Sequence, residues 1–409
     1  MSIVPTMAGG LLGLDSYLVD WLDLLLRCLH VIAAIAWIGT SFYFVLLDQS
    51  LRPPEDAEDE AAGVAGELWE VHGGGFYHVQ KYRVAPPTLP EHLAWFKWEA
   101  YTTWLSGFAL VVVLYYFSAS SKLVDPSVAN LSDWEAITLS VGLLVVAWLA
   151  YDVLCRLLGK DERALAVSVG VLAVVSAFVA TQLFAPRAAF LQVGAMLGTI
   201  MAANVLFVII PAHWELIRAK EAGRDPDPAP GLEGKRRSVH NNYLTLPVLF
   251  TMLAGHFPLA YGAGRAWLVL VAFMALGAFA RLFFNLRHRG RTHWWMPVAA
   301  AAAVVALAVA LNPDAATPGP GGGADAAAVA RGRTVFASAG CAGCHTLADA
   351  SATGAVGPNL DNAKPSFALV STRVTNGQGV MPPFSGRLTK QQISDVAVYV
   401  SNISHGASP

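Results

Sequence analysis

Two cysteines and a histidine near the carboxyl end carry the clearest chemistry in this chain. Residues 341–345 read Cys-Ala-Gly-Cys-His, the C-x-x-C-H spacing typical of c-type haem attachment. Cys341 and Cys344 lie about one helical turn apart, so each thiol can bond one vinyl group of the same porphyrin, with His345 as an axial ligand of the iron. A lone C-x-x-C pair could also be a zinc or redox site, but the adjacent histidine favours haem.

The opposite iron ligand is predicted in a proline-bracketed loop downstream. Met381 lies within Val380-Met-Pro-Pro-Phe384, and His/Met ligation fills both axial positions, as in electron-transfer haems. Gly357–Leu360 reads as a loop under the haem edge, and the apolar spacing of Thr389–Ile403 predicts a closing helix. From about residue 325 to 405 the chain resembles the small class I cytochrome c domains, most specifically at these attachment and ligand residues.

The composition of the whole chain indicates an integral membrane protein with a soluble appendage. Of its 409 residues, 55% are hydrophobic and only 14% are charged, with a mean hydropathy of +0.49. Ordinary soluble domains carry about a quarter charged residues. Cys28 and Cys155 lie in or beside apolar runs, where we expect small buried side chains rather than a disulfide framework. The net charge of −2 indicates no particular partner, and we expect a lipid bilayer but no nucleic acid.

Eight apolar runs are each long enough to cross a hydrocarbon layer of about 30 Å. Residues 1–20 contain no lysine or arginine, unlike a signal peptide, so we expect the first run to be a retained helix. The predicted spans lie near residues 18–47, 98–117, 134–155, 164–184, 189–214, 241–261, 266–286 and 294–311. We therefore predict an all-α fold: an eight-helix transmembrane domain over 1–311, a flexible Gly/Pro/Ala linker over 312–328, and a small helical cytochrome c domain over 329–409.

Basic residues predict how this bundle is oriented. Most lysines and arginines follow the odd-numbered spans, whereas the loops after spans 2, 4 and 6 hold one each. The positive-inside rule then places the odd loops in the cytoplasm and both termini outside. Covalent haem attachment is expected on the outer face of a bacterial inner membrane, and this topology puts Cys341 there. We therefore predict a multi-pass inner-membrane protein with a periplasmic cytochrome domain.

Several polar residues interrupt the apolar spans where a simple anchor would need none. Arg281 and Asn285 share one face near the inner end of the seventh span. Four histidines lie in or at the ends of spans: His30, His213, His240 and His256. Ionisable groups are costly in hydrocarbon and usually face an interior or a cavity. By depth, His30 pairs with His256 and His213 with His240. These pairs are either ligands of one or two b-type haems that relay electrons to the c haem, or hydrogen-bonding groups between helices.

The start of the second span carries a polar stripe. Glu99, Thr102, Thr103 and Ser106 recur at i, i+3, i+4 and i+7, so they share one helix face among several tryptophans. An aromatic interfacial belt with a snorkelling Lys97 is one interpretation. A polar pocket open to the cytoplasm is the other, and it explains the carboxylate and hydroxyls. The preceding Gly-rich, aromatic and basic segment, residues 71–83, either folds over a planar anionic substrate or packs at the interface.

The stretch Trp95-Phe-Lys-Trp-Glu-Ala-Tyr-Thr-Thr-Trp-Leu-Ser-Gly-Phe108, together with the order of domains, resembles the membrane-bound urate hydroxylases, also called urate oxidases. The resemblance covers the whole chain. It implies oxidation of urate to 5-hydroxyisourate in bacterial purine degradation. Electrons would leave through the c haem for a respiratory acceptor such as a soluble cytochrome c or a terminal oxidase.

A urate site needs a cation for the anion, a ring that stacks on it, and a base. The resemblance does not assign these roles, so the candidates come from the physical interpretation alone. They are Lys97 or Arg83 for charge, Trp98 or Phe76 for stacking, and Glu99 or His72 as the base. Two other classes of function stay open: an electron-transfer subunit fed by quinol or a partner, and a transporter or sensor with a tethered cytochrome.

Overall fold

The structure is a computed structural model, and it describes residues 16–126, 128–262, 265–311, 326–378 and 381–404. The first described part is mainly helical. Its helices are α1 (Ser16–Ser50), α2 (Ala57–Ala61), α3 (Trp98–Val111), α4 (Ala119–Lys122), α5 (Asp133–Leu158), α6 (Glu162–Leu183), α7 (Pro186–Asn204), α8 (Ile210–Glu221), α9 (Pro228–Ala254), α10 (Pro258–Tyr261), α11 (Ala266–His288) and α12 (Trp295–Ala310). π-helical turns continue α3 over Val112–Tyr116 and join α7 to α8 over Val205–Ile209.

Helices occur at all eight predicted positions, but a count of eight membrane spans is not confirmed. Within the described residues, five helical stretches are long and apolar enough to cross a membrane: Tyr17–Ser50, Asp133–Leu158, Glu162–Leu183, Pro186–Glu221 and Ala266–His288. The other three positions fall short of such a span. The α12 helix is apolar but short, α3 gives way to its π-helical turn, and α9 begins with a charged half. The all-α class is consistent with this architecture.

The centre of the membrane domain is α7. The most apolar window of its span is 61% buried, against 11% to 28% for the other four candidate spans, so protein surrounds α7 while the others lie at the outside of the bundle. Small residues let its neighbours approach closely. A Cβ atom on Gly194 would lie 2.1 Å from Thr251 Oγ1 on α9, and one on Gly277 of α11 would lie 3.0 Å from Pro247. These glycines bring α7, α9 and α11 together.

A β-hairpin fills part of the polar region between the first two spans, where sequence patterns had predicted only loop. Strand β1 (Val64–His72) pairs antiparallel with β2 (Gly75–Tyr82). Gly73 and Gly74 form the turn with φ of +59° and +83°, a conformation that other residues rarely adopt. Two glycines between apolar strands are a hairpin signal. The Gly-rich part of this segment is therefore a tight turn, and a role of the segment in covering a substrate stays a prediction.

The haem domain is a small helical unit. Its helices are α13 (Ala326–Ser338), α14 (Leu360–Ala363), α15 (Phe367–Asn376) and α16 (Lys390–Ser404), with a two-residue pairing of β3 (Thr346–Leu347) and β4 (Ala352–Thr353). α16 is the predicted closing helix. It crosses α13 at Gly332, where a Cβ atom would lie 2.0 Å from the Asp395 carbonyl oxygen. Arg331 fixes this crossing by donating from Nε to Asp395 at 2.9 Å.

The predicted linker falls largely on residues 312–325, outside the described residues, and its last predicted positions, 326–328, already belong to α13. A direct contact joins the two parts of the chain. The hydroxyl of Tyr261, at the end of α10, donates to the backbone carbonyl of Asn376 at the end of α15, with an O–O distance of 3.5 Å. The haem domain therefore lies against the end of the bundle that carries α10.

Candidate functional site

The attachment histidine is held in one orientation by its loop. Nδ1 of His345 lies 3.0 Å from the carbonyl oxygen of Pro358, so Nδ1 carries the proton in this pairing and Nε2 is left for a metal. A Cβ atom on Gly357 would lie 2.5 Å from Cε1 of the ring. Only glycine therefore lets this loop approach the imidazole. Residues 357–359 form a loop beside this ring and Leu360 begins α14, and their place under a haem edge stays a prediction.

The remaining attachment and ligand residues fit a c-type haem. The two cysteine thiols are free, and Cys341 packs partly buried against the same apolar core as Met381. Burial raises the pKa of the Cys341 thiol to about 11. Met381 is fixed by a backbone pairing with Gln378, at 2.9 Å in both directions. His345, the two thiols and Met381 would hold the haem, which supplies one-electron transfer when bound.

In the membrane domain, the predicted polar stripe of α3 faces α1. Thr103 and Ser106 are buried, and their hydroxyls donate back to the Glu99 and Thr102 carbonyls at 2.6 Å each. These two hydroxyls therefore belong to a helix–helix contact and do not line an open mouth. Glu99 differs, because its Oε2 is buried and has no hydrogen-bond partner among the described residues.

The residues predicted to bind substrate are not brought into one pocket. Lys97 Nζ lies over the rings of Trp95, Trp98 and Trp214, at 4.6, 5.8 and 5.7 Å from the ring centroids. This is the geometry of a snorkelling lysine in an aromatic belt. Trp98 is 67% exposed. The cation and the ring predicted at the start of α3 therefore contact each other and the belt.

The hairpin carries the other predicted substrate and base residues on its surface. His72 and Phe76 flank the Gly-Gly turn, and both are exposed. Arg83, at the base of the hairpin, is exposed and lies 3.8 Å from Glu60. On β1, the Glu67 carboxylate accepts a hydrogen bond from the Glu55 backbone N–H at 3.0 Å. This hydrogen bond lowers the pKa of the Glu67 carboxyl. No hydrogen bond or ion pair among the described residues joins His72, Phe76 or Arg83 to Glu99.

His30 is the membrane histidine with the most defined ring geometry. Its Nδ1 lies 3.0 Å from the Thr103 carbonyl oxygen and 3.2 Å from Ser106 Oγ. A Cβ atom on Gly107 would lie 2.8 Å from its Cε1, so α1 and α3 touch at this ring. As at the attachment histidine, Nε2 is left free of these contacts.

The other three histidines have different surroundings. His240 lies on α9 with its Nδ1 2.8 Å from the buried Tyr151 hydroxyl. His213 lies near Trp95, with ring centroids 6.3 Å apart, and lines an apolar hollow of about 240 Å³. His256 is exposed after the end of α9. Ligation of b-type haem by these residues stays a prediction.

A buried polar network between α5, α7 and α9 was missed by sequence reasoning. Arg237, 2% exposed, donates to Asp152 and Glu233 at 2.8 Å each and to Asn204 at 3.1 Å. Asn204 donates in turn to the Tyr151 hydroxyl at 3.0 Å. The network borders a hollow of about 640 Å³ with a charged lining. An aspartate inside the third predicted span was the available signal, because a lone carboxylate in hydrocarbon needs a partner.

Comparison with known proteins covers both parts of the chain. Residues 16–312 match the family described as "Urate oxidase N-terminal", and residues 327–400 match "Cytochrome C oxidase, cbb3-type, subunit III". Cytochrome c6 of Leptolyngbya boryana is 42% identical over 75 residues, covering 17% of this chain and 87% of that protein. Cytochrome c6 of Limnospira maxima is 41% identical over 83 residues, covering 18% and 89%.

A solved structure also matches the carboxyl-terminal part. It is the c-type cytochrome SorU from Sinorhizobium meliloti, with 48% sequence identity and a TM-score of 0.19. The match covers 20% of this chain and 94% of that chain.

Proposed function

Because the chain belongs to the urate oxidase N-terminal family, which it matches over residues 16–312, we propose that it oxidises urate to 5-hydroxyisourate. Its carboxyl-terminal part is a cytochrome c domain, so the chain is a cytochrome-linked oxidoreductase of the membrane. The observation that carries the proposal is that both parts belong to one chain and touch at Tyr261 and Asn376. Substrate oxidation and electron export are thereby joined.

The proposed reaction balances without molecular oxygen. One urate monoanion and one water give 5-hydroxyisourate, one proton and two electrons. A c-type haem held by Cys341, Cys344, His345 and Met381 would supply one-electron transfer, so the two electrons would pass one after the other to a respiratory acceptor. A soluble cytochrome c or a terminal oxidase would serve as this acceptor. We place the protein in a bacterial inner membrane with the cytochrome domain on the periplasmic side.

Within this proposal, Glu99 is the general base. Its buried Oε2 has no hydrogen-bond partner among the described residues, so this oxygen is available to take a proton from a bound substrate. His72 is the alternative base, and Lys97, Arg83, Trp98 and Phe76 remain candidates for binding the anion. His30 is the best candidate for a b-type haem ligand, because its Nδ1 is already engaged with a carbonyl.

Anaerobic addition of urate to the purified, oxidised protein tests the function. We expect the α-band of reduced c haem to appear, and we expect no such signal from His345→Ala, which lacks the proximal ligand. Failure of urate to reduce the wild-type haem would refute the proposal. Rapid reduction by a quinol in the same sample would then identify an electron-transfer subunit.

A further inference from the structure

A second polar cluster lies where α1, α9 and α11 meet, apart from the stripe of α3. Arg281 is only 4% exposed. Its Nε and Nη2 donate to Asn242 Oδ1 at 3.2 and 2.9 Å, and Nη2 also donates to Asn285 Oδ1 at 3.2 Å. The ring of Phe42 covers one face of the guanidinium, with its centroid 3.9 Å from Cζ. Three helices thus hold one arginine in a fixed orientation.

The described part of the chain offers this arginine no counter-charge. Among the described residues, no Asp or Glu oxygen lies within 4 Å of Arg281. The other buried arginine of the bundle, Arg237, is matched by Asp152 and Glu233 at 2.8 Å each. A buried cation is costly unless it is paired. The contrast indicates that the described residues leave the charge of Arg281 unmatched, and that an anionic ligand would match it.

The cluster around Arg281 also has more hydrogen-bond donors than acceptors. An arginine has five N–H donors and no acceptor, and each amide adds two more donors. Asn242 Oδ1 is shared by Arg281 Nε, Arg281 Nη2 and Asn285 Nδ2. Meanwhile Asn242 Nδ2 is buried with no partner in the described structure, although the residue is 0% exposed. Arg281 Nη1 likewise makes no hydrogen bond within the described structure. The cluster therefore lacks acceptors.

The missing ligand must supply a negative charge and several acceptor oxygens in one plane. A guanidinium fork binds such an edge through two parallel hydrogen bonds. Resting on the proposed function, we propose that the urate anion binds at Arg281, with Asn242 and Asn285 donating to its carbonyl oxygens. Urate presents three carbonyl oxygens on a flat anionic ring. The chemical class is a planar, acceptor-rich purine anion.

The position of the cluster suits this ligand. Arg281, Asn285 and His288 follow i, i+4 and i+7, so they share one face of α11. His288 Nδ1 is also buried without a partner among the described residues. Arg287 and Arg291 follow at the same end of the helix, and clustered cations raise the local concentration of anions. Lys97 offers less, because its ammonium is already covered by aromatic rings.

Equilibrium binding of urate to the reduced full-length protein tests the site. The dithionite-reduced haem accepts no electron, so binding is measured without turnover. We expect Arg281→Gln to raise the Kd of urate at least about 30-fold, as when one partner of a buried charge pair is removed. Arg281→Lys keeps the positive charge but loses the two parallel hydrogen bonds of the guanidinium. Its Kd for urate should therefore lie between those of the wild type and Arg281→Gln. Asn242→Ala should weaken binding about 3- to 10-fold.

Arg237→Gln is the matched control, since it removes a buried arginine that already has carboxylate partners. Its Kd should equal that of the wild type, and thermal melting of helical content verifies that each variant is folded. The inference would be overturned if folded Arg281→Gln and Arg281→Lys bound urate with wild-type affinity. It would also be overturned if Lys97→Met lost urate binding while Arg281→Gln retained it. If wild-type protein neither binds urate nor reduces its haem with it, the proposed function fails instead.

Discussion

Two histidines in different parts of the molecule are held in the same way. His345 in the haem domain and His30 in the bundle each have Nδ1 3.0 Å from a backbone carbonyl oxygen. Each ring also lies against a glycine, Gly357 and Gly107 respectively. His345 has two cysteines close by in sequence, and Met381 packs against the same core as Cys341. His30 is held only by the packing of α1 against α3. Orientation of a ring is therefore common to both regions, and the pair of cysteines proposed for haem attachment is particular to one.

Replacing the two histidines separates these roles and should give the largest effects. His345→Ala should abolish the low-spin c-haem spectrum and all reduction by urate, because the proximal ligand is lost. His30→Ala should leave that spectrum intact. A pyridine haemochrome assay then tests whether His30, like His345, is a haem ligand. Detection of b-type haem in the wild type, and its loss in His30→Ala, would support that role. Only c-type haem in the wild type would limit His30 to helix packing.

Substitution of Glu99 should separate the chemical step from electron transfer. We expect Glu99→Gln to lower kcat about 100-fold, the usual contribution of a general base, while KM and the haem spectrum stay near wild type. Steady-state oxidation of urate with a cytochrome acceptor measures both constants. His72→Ala, on the exposed hairpin turn, is the companion variant. Full turnover in Glu99→Gln would exclude this carboxylate as the base.

Alanine at the two glycines probes how tightly each ring is held. A Cβ atom would lie 2.5 Å from His345 in Gly357→Ala and 2.8 Å from His30 in Gly107→Ala. Each should cost about 1–3 kcal/mol of stability, as overpacking does, and the first should also disturb the haem spectrum. Gly386→Ala and Gly142→Ala are the controls, because nothing lies within 4 Å of their Cβ positions. Equal melting temperatures in all four variants would show that neither contact is tight.

The smallest effect is expected at the crossing of α13 and α16, and it depends on pH. Hydrogen bonds from Arg331 hold the pKa of the Asp395 carboxyl below its usual range. This stabilisation is present above the ordinary pKa of aspartate, about 4, and is lost as pH falls through the folded value. Asp395→Asn should therefore lose about 1–2 kcal/mol at pH 7. Thermal melts at pH 7 and pH 3 should show wild type and variant converging in acid.

The haem domain was largely predictable because its signals are local. Residues 341–345 predict haem attachment by their spacing alone, and the closing helix follows from apolar periodicity. The membrane sites were not predictable to the same degree. His30 finds its partner Thr103 across 73 positions. Arg281 and Asn285 share a visible face of one helix, but Asn242 and Phe42 come from two others. The sequence leaves the role of Lys97 open, because a lysine among tryptophans suits a binding site and an aromatic belt equally well.

The covalent join between the two domains has a kinetic consequence. A cytochrome tethered beside its electron source experiences an effective concentration of roughly millimolar, whatever the amount of protein in the membrane. In the proposed reaction the first electron transfer is therefore unimolecular, with a rate that dilution does not change, and only the step to the next acceptor depends on collisions. The first of the two electrons would leave the substrate at the same rate in a cell with few copies of this chain, whereas the second would wait for that acceptor.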